Sequence, residues 1–220
     1  MVQSLKVILW GEEIGRLAWD TRRRLSCFMY NPAFLKKGLN ISPLASPVDG
    51  SRGLTPVWGE EAKIYQKLPA FLADSLPDAW GNQLFELWRQ QNHLSNAGIT
   101  PLDKLSFIGK RGMGALEFLP EVSRERKAEK IDIKSLANLA RRIFSERENA
   151  GILPEESVIM QSLFTVGTSA GGRQPKVIVA IKYGVAEHWI GRVENTIIDH
   201  LKSWGELEEM VPETVSYTHL

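Results

Sequence analysis

The chain has 220 residues, 43% of them hydrophobic and 24% charged, enough length and apolar content to bury one sizeable core or two small ones. Its formal charge of +1 argues against the global basic field of a dedicated nucleic-acid binder, and charged residues interrupt every apolar run before the roughly 20 residues a bilayer requires. The single cysteine, Cys27, cannot close an internal disulfide, and the N-terminal residues lack the pattern of a secretory signal, so the cytoplasm is the expected compartment.

Residues 5–10 and 14–20 are β-prone apolar runs separated by Gly11, Glu12 and Glu13, the pattern of a short hairpin. A third strand is expected over 25–30, ending at Asn31-Pro32. Residues 39–45 then lead into 47–56, whose Gly, Ser and Pro content predicts a surface loop. Phe71, Leu72 and Leu76 share one short helical face. Residues 79–91 carry Trp80, Leu84, Leu87 and Trp88 at helical spacing behind Asp78 as N-cap. Thr100 caps a shorter helix with Pro101 at its first position, Gly109 and Gly112 break it, and 115–119 returns to strand. These elements give residues 1–120 an α+β reading.

Residues 121–130 are almost entirely charged and read as a solvated connector. Beyond it, 132–146 carries Leu136, Leu139, Ala140 and Ile143 on one helical face. A second helix starts near Pro154 with Val158, Ile159 and Ser162. Three segments are therefore expected: 1–120, a charged connector with linking helices over 121–163, and a third over 164–220.

The third segment opens on the strongest chemical motif. Phe164-Thr165-Val166, then Gly167-Thr168-Ser169-Ala170-Gly171-Gly172-Arg173-Gln174-Pro175-Lys176, then 177–181 reads as strand, glycine loop, strand. Glycines let successive backbone N–H groups line a concavity that suits phosphate oxygens, and Lys176 adds a positive charge at its exit. Arg173 and Gln174 follow Gly172 where a P-loop needs Lys and Ser or Thr, and the dinucleotide fingerprint is absent. A loop between two strands is the kinase arrangement; a hairpin whose glycines serve only an unusual turn is the competing reading.

The segment Thr168-Ser-Ala-Gly-Gly-Arg-Gln-Pro-Lys176 resembles the glycine-rich loop of HipA-family serine/threonine kinases, the toxin component of bacterial type II toxin–antitoxin systems. Leu76-Pro-Asp-Ala-Trp-Gly81 resembles that family's Leu-Pro-Asp-x-Trp-Gly segment, and Pro101 to Gly109 with Gly114-Ala-Leu-Glu117 resembles the stretch closing its N-terminal subdomain. The resemblance implies an antiparallel, barrel-like N-terminal subdomain followed by the start of a kinase-like nucleotide-binding domain.

It further implies that backbone groups of Gly171, Gly172, Arg173, Gln174, Pro175 and Lys176 contact the phosphates of ATP, with Mg²⁺, and that Ser169 is a regulatory autophosphorylation site. A phosphoserine carries nearly two negative charges and would compete with ATP for the cradle. Arg192 stands where the family pattern leads one to expect a phosphate-holding lysine, for which arginine is not an equivalent. The implied partners are a helix-turn-helix antitoxin, DNA mainly indirectly through that antitoxin, and a protein target in translation similar to an aminoacyl-tRNA synthetase.

The residues after Lys176 are too few for a lobe holding the catalytic Asp and the metal-binding Asn and Asp. The terminal residues 215–220 resemble a translated adapter tail. The chain is therefore expected to be an N-terminal fragment, inactive by itself and without catalytic residues of its own. The alternative function is a non-catalytic module that docks the antitoxin.

Elsewhere, His93, His188, His200 and His219 are scattered, so no metal site is expected. Cys27 reads as a small buried hydrophobe. Trp80 offers a partner surface as an alternative to a core role, and Arg22, Arg23 and Arg24 with Lys36 and Lys37 offer a basic patch for DNA phosphates as an alternative to solvated turns.

Overall fold

A computed structural model describes residues 2–44, 54–56, 61–95, 97–112, 114–122, 133–146, 153–166, 176–183 and 185–192. They fall into two compact units, one from residues 2–76 and 95–122, the other from 77–94 and the described residues from 133 onward.

The first unit is built on an antiparallel sheet of β1 (Ser4–Leu9), β2 (Glu12–Asp20), β3 (Leu25–Tyr30), β4 (Leu54–Pro56) and β5 (Leu116–Leu119), in the order β4-β3-β2-β1-β5. Leu5 and Val7 alternate with Lys6, and in β2 a register shift opposite Val7 and Ile8 lets Ile14 and Leu17 both be buried while Glu13 and Arg16 share the other face, so one sheet face is apolar and the other is charged. On the charged face Glu13 lies 2.9 Å from Arg16 and 3.7 Å from Lys6. The Arg16 hydrogen bond, helped by the positive charge of both neighbours, holds the Glu13 carboxyl below its ordinary range. Trp10 and Gly11, both with positive φ, close the β1–β2 hairpin, the backbone such a two-residue turn requires. Gly15 sits against β3, where a Cβ would lie 2.5 Å from the Met29 carbonyl oxygen and from the Phe28 ring.

Short helices α1 (Pro32–Leu35), α3 (Ala70–Ala73) and α5 (Pro101–Ile108) contribute to the core on the apolar face, and α2 (Glu61–Ile64) precedes α3 with Ile64 exposed. Asn31 caps α1 by accepting from Ala33 N–H at 2.9 Å. The core joins Leu5, Val7, Ile14, Leu17 and Phe28 to Phe34, Leu68, Leu72, Leu102, Leu105 and Phe118. Each such side chain contributes about 1.5–3 kcal/mol when removed from water. Phe28 makes edge-on contacts with Tyr30 and Phe71 at 4.9 and 5.3 Å. Burial raises the Tyr30 phenol above its ordinary value.

The second unit contains α4 (Ala79–Gln91), α6 (Ile133–Glu146), α7 (Ser157–Val166) after a single 3-10 turn at Pro154–Glu156, and the hairpin β6 (Lys176–Tyr183) and β7 (Val185–Arg192). Trp80, Leu84, Leu87 and Trp88 form the buried stripe of α4, spaced as one helical face. Gln83 Nε2 donates to the Ile143 carbonyl at 2.7 Å, joining α4 to α6. Arg142 pairs with both Glu146 and Glu156, joining α6 to the 3-10 turn.

The structure bears out the α+β class with an antiparallel sheet, and corrects several local expectations. The stretch read as a loop contributes β4, an edge strand whose Pro56 lies opposite Cys27; an edge tolerates a residue without an N–H. Phe164, Thr165 and Val166 end a helix rather than form a strand. Met160, Leu163 and Phe164 repeat at helical spacing and are buried, which outweighs the β propensity of a three-residue tail. For the same reason Val158, Ile159 and Ser162 are not the packed face of α7: Val158 is exposed and Met160 takes its place.

Candidate functional site

The motifs that suggested a function fall into three places. The first is Leu76 to Gly81. Asp78 Oδ1 accepts from Gly81 N–H at 2.7 Å, and Asn82 Nδ2 donates to the carbonyls of Pro77 and Asp78 at 2.7 and 2.8 Å. These bonds satisfy donors and acceptors at the start of α4. Trp80 is 1% exposed, which overturns its reading as a partner surface: its indole is core, and the motif is a helix start.

The second place is the α5 motif. Asp103, at the third helical position, reaches back to Thr100, accepting from its N–H at 2.8 Å and its hydroxyl at 2.9 Å, the reciprocal half of a capping box. Its other oxygen accepts from Val2 N–H at 2.7 Å, which pins the N-terminal residues to α5. At the far end Gly109 has φ +58 and donates to the Leu105 carbonyl at 2.8 Å. Arg111 Nε lies 3.1 Å from Glu121 Oε1, and the guanidinium also donates to the Phe107 carbonyl and sits 5.2 Å from the Phe107 ring. Ser106 Oγ donates to the Pro120 carbonyl. Glu121 is thus a nearly buried structural partner rather than the first residue of a solvated connector; of that connector, residues 123–130 lie outside the described residues.

The third place is the glycine loop. Ser169, Gly171, Gly172, Arg173, Gln174 and Pro175 lie outside the described residues, and the loop's flanks are described. It runs from the end of α7 into β6, so the strand–loop–strand order expected of a kinase loop is corrected to helix–loop–strand. The β6–β7 register runs from Tyr183↔Val185 at the closed end to Lys176↔Arg192 at the open end. Lys176 and Arg192 are therefore register partners where the loop enters the hairpin. Arg192 was singled out by the family pattern alone; only the register places it opposite Lys176. Among the described residues no group of three or more His, Cys, Asp or Glu could hold a metal ion, and no helix is long and apolar enough to cross a membrane.

A family model described as the HipA N-terminal domain matches residues 5–119, more than half of the chain. The chain belongs to the HipA family. The matched region spans the whole five-stranded sheet, α4 and α5. No curated protein matches this HipA-family chain at a significant level. Among solved structures it is similar to a chain of the Shewanella oneidensis MR-1 toxin–antitoxin system HipA, HipB and operator DNA complex, at 20% identity and a TM-score of 0.45. That similarity covers 86% of this chain and 39% of the other, so the present chain corresponds to well under half of the solved one.

The remaining candidates separate. Arg23 pairs with Asp20 at the last residue of β2, and Lys37 pairs with Glu12 at the first. A nine-residue strand holds those ends about 27 Å apart, so Arg22, Arg23 and Arg24 form no common patch with Lys36 and Lys37. Cys27 is partly buried, and burial is the main cause of its thiol being raised above its ordinary value. Burial of this kind fits a packing role rather than a nucleophile. Sequence reasoning missed Asp103, Arg111 and Lys67 as organising residues, since their partners lie far away in sequence; the Thr100–Asp103 spacing was the one local signal available.

Proposed function

We propose that this chain is the N-terminal part of a HipA-type serine/threonine kinase of a toxin–antitoxin system, whose glycine loop cradles the phosphates of MgATP. The whole protein transfers the γ-phosphoryl group to a hydroxyl on a protein of the translation machinery, in the manner of an aminoacyl-tRNA synthetase target. A helix-turn-helix antitoxin neutralises it and links it to DNA. Backbone N–H groups of Gly171, Gly172, Arg173 and Gln174 supply donors, Lys176 and Arg192 supply charge, and phosphorylation of Ser169 closes the cradle to ATP by repulsion between like charges. The observation that carries the reading is the Lys176↔Arg192 pairing at the loop's exit, in a chain whose residues 5–119 match the family.

The test is the melting temperature of the whole protein with and without MgATP, since a ligand that binds only the folded state stabilises it. The expected result is a rise that Lys176→Ala reduces and that a phosphomimetic Ser169→Glu abolishes. An unchanged melting temperature with ATP would remove the nucleotide site. The second reading, a non-catalytic module docking the antitoxin, is favoured by one observation: the family match ends at Leu119, before the loop. It predicts antitoxin binding with no response to ATP.

A further inference from the structure

We propose that the rim formed by the β2–β3 turn and the Gln66–Lys67 turn binds the phosphate backbone of a nucleic acid. The inference does not involve the glycine loop. Arg22, Arg23 and Arg24 occupy the turn between β2 and β3, and all three are exposed. The turn is fixed: Arg24 N–H donates to the Asp20 carbonyl at 2.7 Å and Arg23 N–H to Asp20 Oδ1 at 2.9 Å. A second turn, Gln66–Lys67, is held against it. Ser26, fully buried, donates both its N–H, at 3.2 Å, and its hydroxyl to the Lys67 carbonyl. Two residues of chain and one hydrogen bond keep the Arg24 and Lys67 Cα atoms within about 14 Å.

Three neighbouring positions in these turns have left-handed backbone without glycine: Arg24 at φ 54, Gln66 at φ 51 and Lys67 at φ 65. Each costs of order 1 kcal/mol that glycine would avoid, and two of the three carry cations. Among the described residues Arg22, Arg24 and Lys67 make no ion pair, and the carboxylate of the turn, Asp20, is engaged by Arg23. The cluster therefore presents positive charge that the fold itself does not use.

Its shape decides the class of anion. Exposed arginines at the tip of a hairpin make a convex surface, which cannot enclose a small phosphate but can lie along a polyanion. A rim at most about 14 Å across can lie along up to about four phosphate steps of one strand, at 3.4 Å of axial rise each. Phosphate contacts need only such cations, whereas a protein partner draws its affinity from buried apolar anchors. Here residues 21–24 are all polar, and Trp19 beside them is packed against the core.

The test is binding of the complete 220-residue chain to a short labelled DNA duplex of mixed sequence and to single-stranded RNA of equal length, measured across salt concentrations. Binding to either at low salt is expected, with log K against log[salt] of slope about −3 to −4. Arg24→Gly combined with Lys67→Gly should reduce that slope by about 2 while melting no lower than wild type, because glycine relieves the backbone. Lys36→Ala should leave the slope unchanged. No binding, an unchanged slope in the double variant, or displacement by polyglutamate as effective as by unlabelled duplex would overturn the proposal, the last by pointing to an acidic protein instead.

Discussion

The Arg111 guanidinium meets the Glu121 carboxylate at 3.1 Å with their side chains only 5% and 12% exposed, so the last described residues of the first unit are fixed to α5 by a buried ion pair. Removing one partner of such a pair leaves the other charge without compensation. Glu121→Ala is expected to destabilise the first unit by about 3 kcal/mol. Arg111→Met combined with Glu121→Leu should recover most of that loss, because no charge then stays buried. Urea unfolding of the two variants measures both; equal stability of Glu121→Ala and wild type would show that the pair contributes nothing.

Gly109 makes a separate prediction. Its φ of +58 disfavours any side chain, and a Cβ there would overlap the Glu121 side chain. Gly109→Ala should cost about 2 kcal/mol, part of it through disruption of the Arg111 pair. The double variant Gly109→Ala with Glu121→Ala should therefore be less destabilised than the sum of the two single changes. Simple additivity would separate the two effects.

Trp80 distinguishes a core role from a binding role. With 1% exposure, Trp80→Ala should cost about 3–5 kcal/mol and lower the melting temperature of α4 as followed by circular dichroism. Asp78→Ala should cost about 1 kcal/mol through loss of the cap. A Trp80→Ala protein that melts like wild type would restore the partner-surface reading.

Cys27 gives a prediction in pH. Burial first, and then the negative charge of Asp20, raise its thiol above the ordinary value. A group whose folded pKa is raised contributes stability that is fully present below the unfolded pKa and is lost as pH rises through the folded one. Thiolate absorbance should thus appear at higher pH in the folded chain than in urea, and Cys27→Ala should flatten the loss of stability in the alkaline range. Titration at the same pH in both states would contradict the burial.

Much of the first unit, and the start of α4 in the second, was legible because the signals are local. Strand alternation in β1 to β3, the Asp78 cap before α4 and Thr100 with Pro101 before α5 each lie within a few residues of the element they specify. Where the sequence misled, a longer-range preference decided. Val158 and Ile159 look as apolar as Met160 and Leu163, and only packing selects which set turns inward. Phe164, Thr165 and Val166 carry strand-forming side chains, yet they continue a helix already nucleated upstream.

By itself, then, the sequence determined the α+β class, the main elements and the family, because periodicity, caps and motif order are properties of consecutive residues. Tertiary structure alone decided that Glu121 neutralises Arg111, that Arg192 stands opposite Lys176 and that Lys67 joins the arginine turn through Ser26. Each of these is a meeting of residues between 10 and 41 positions apart, set by strand register and chain reversal, which no local pattern encodes.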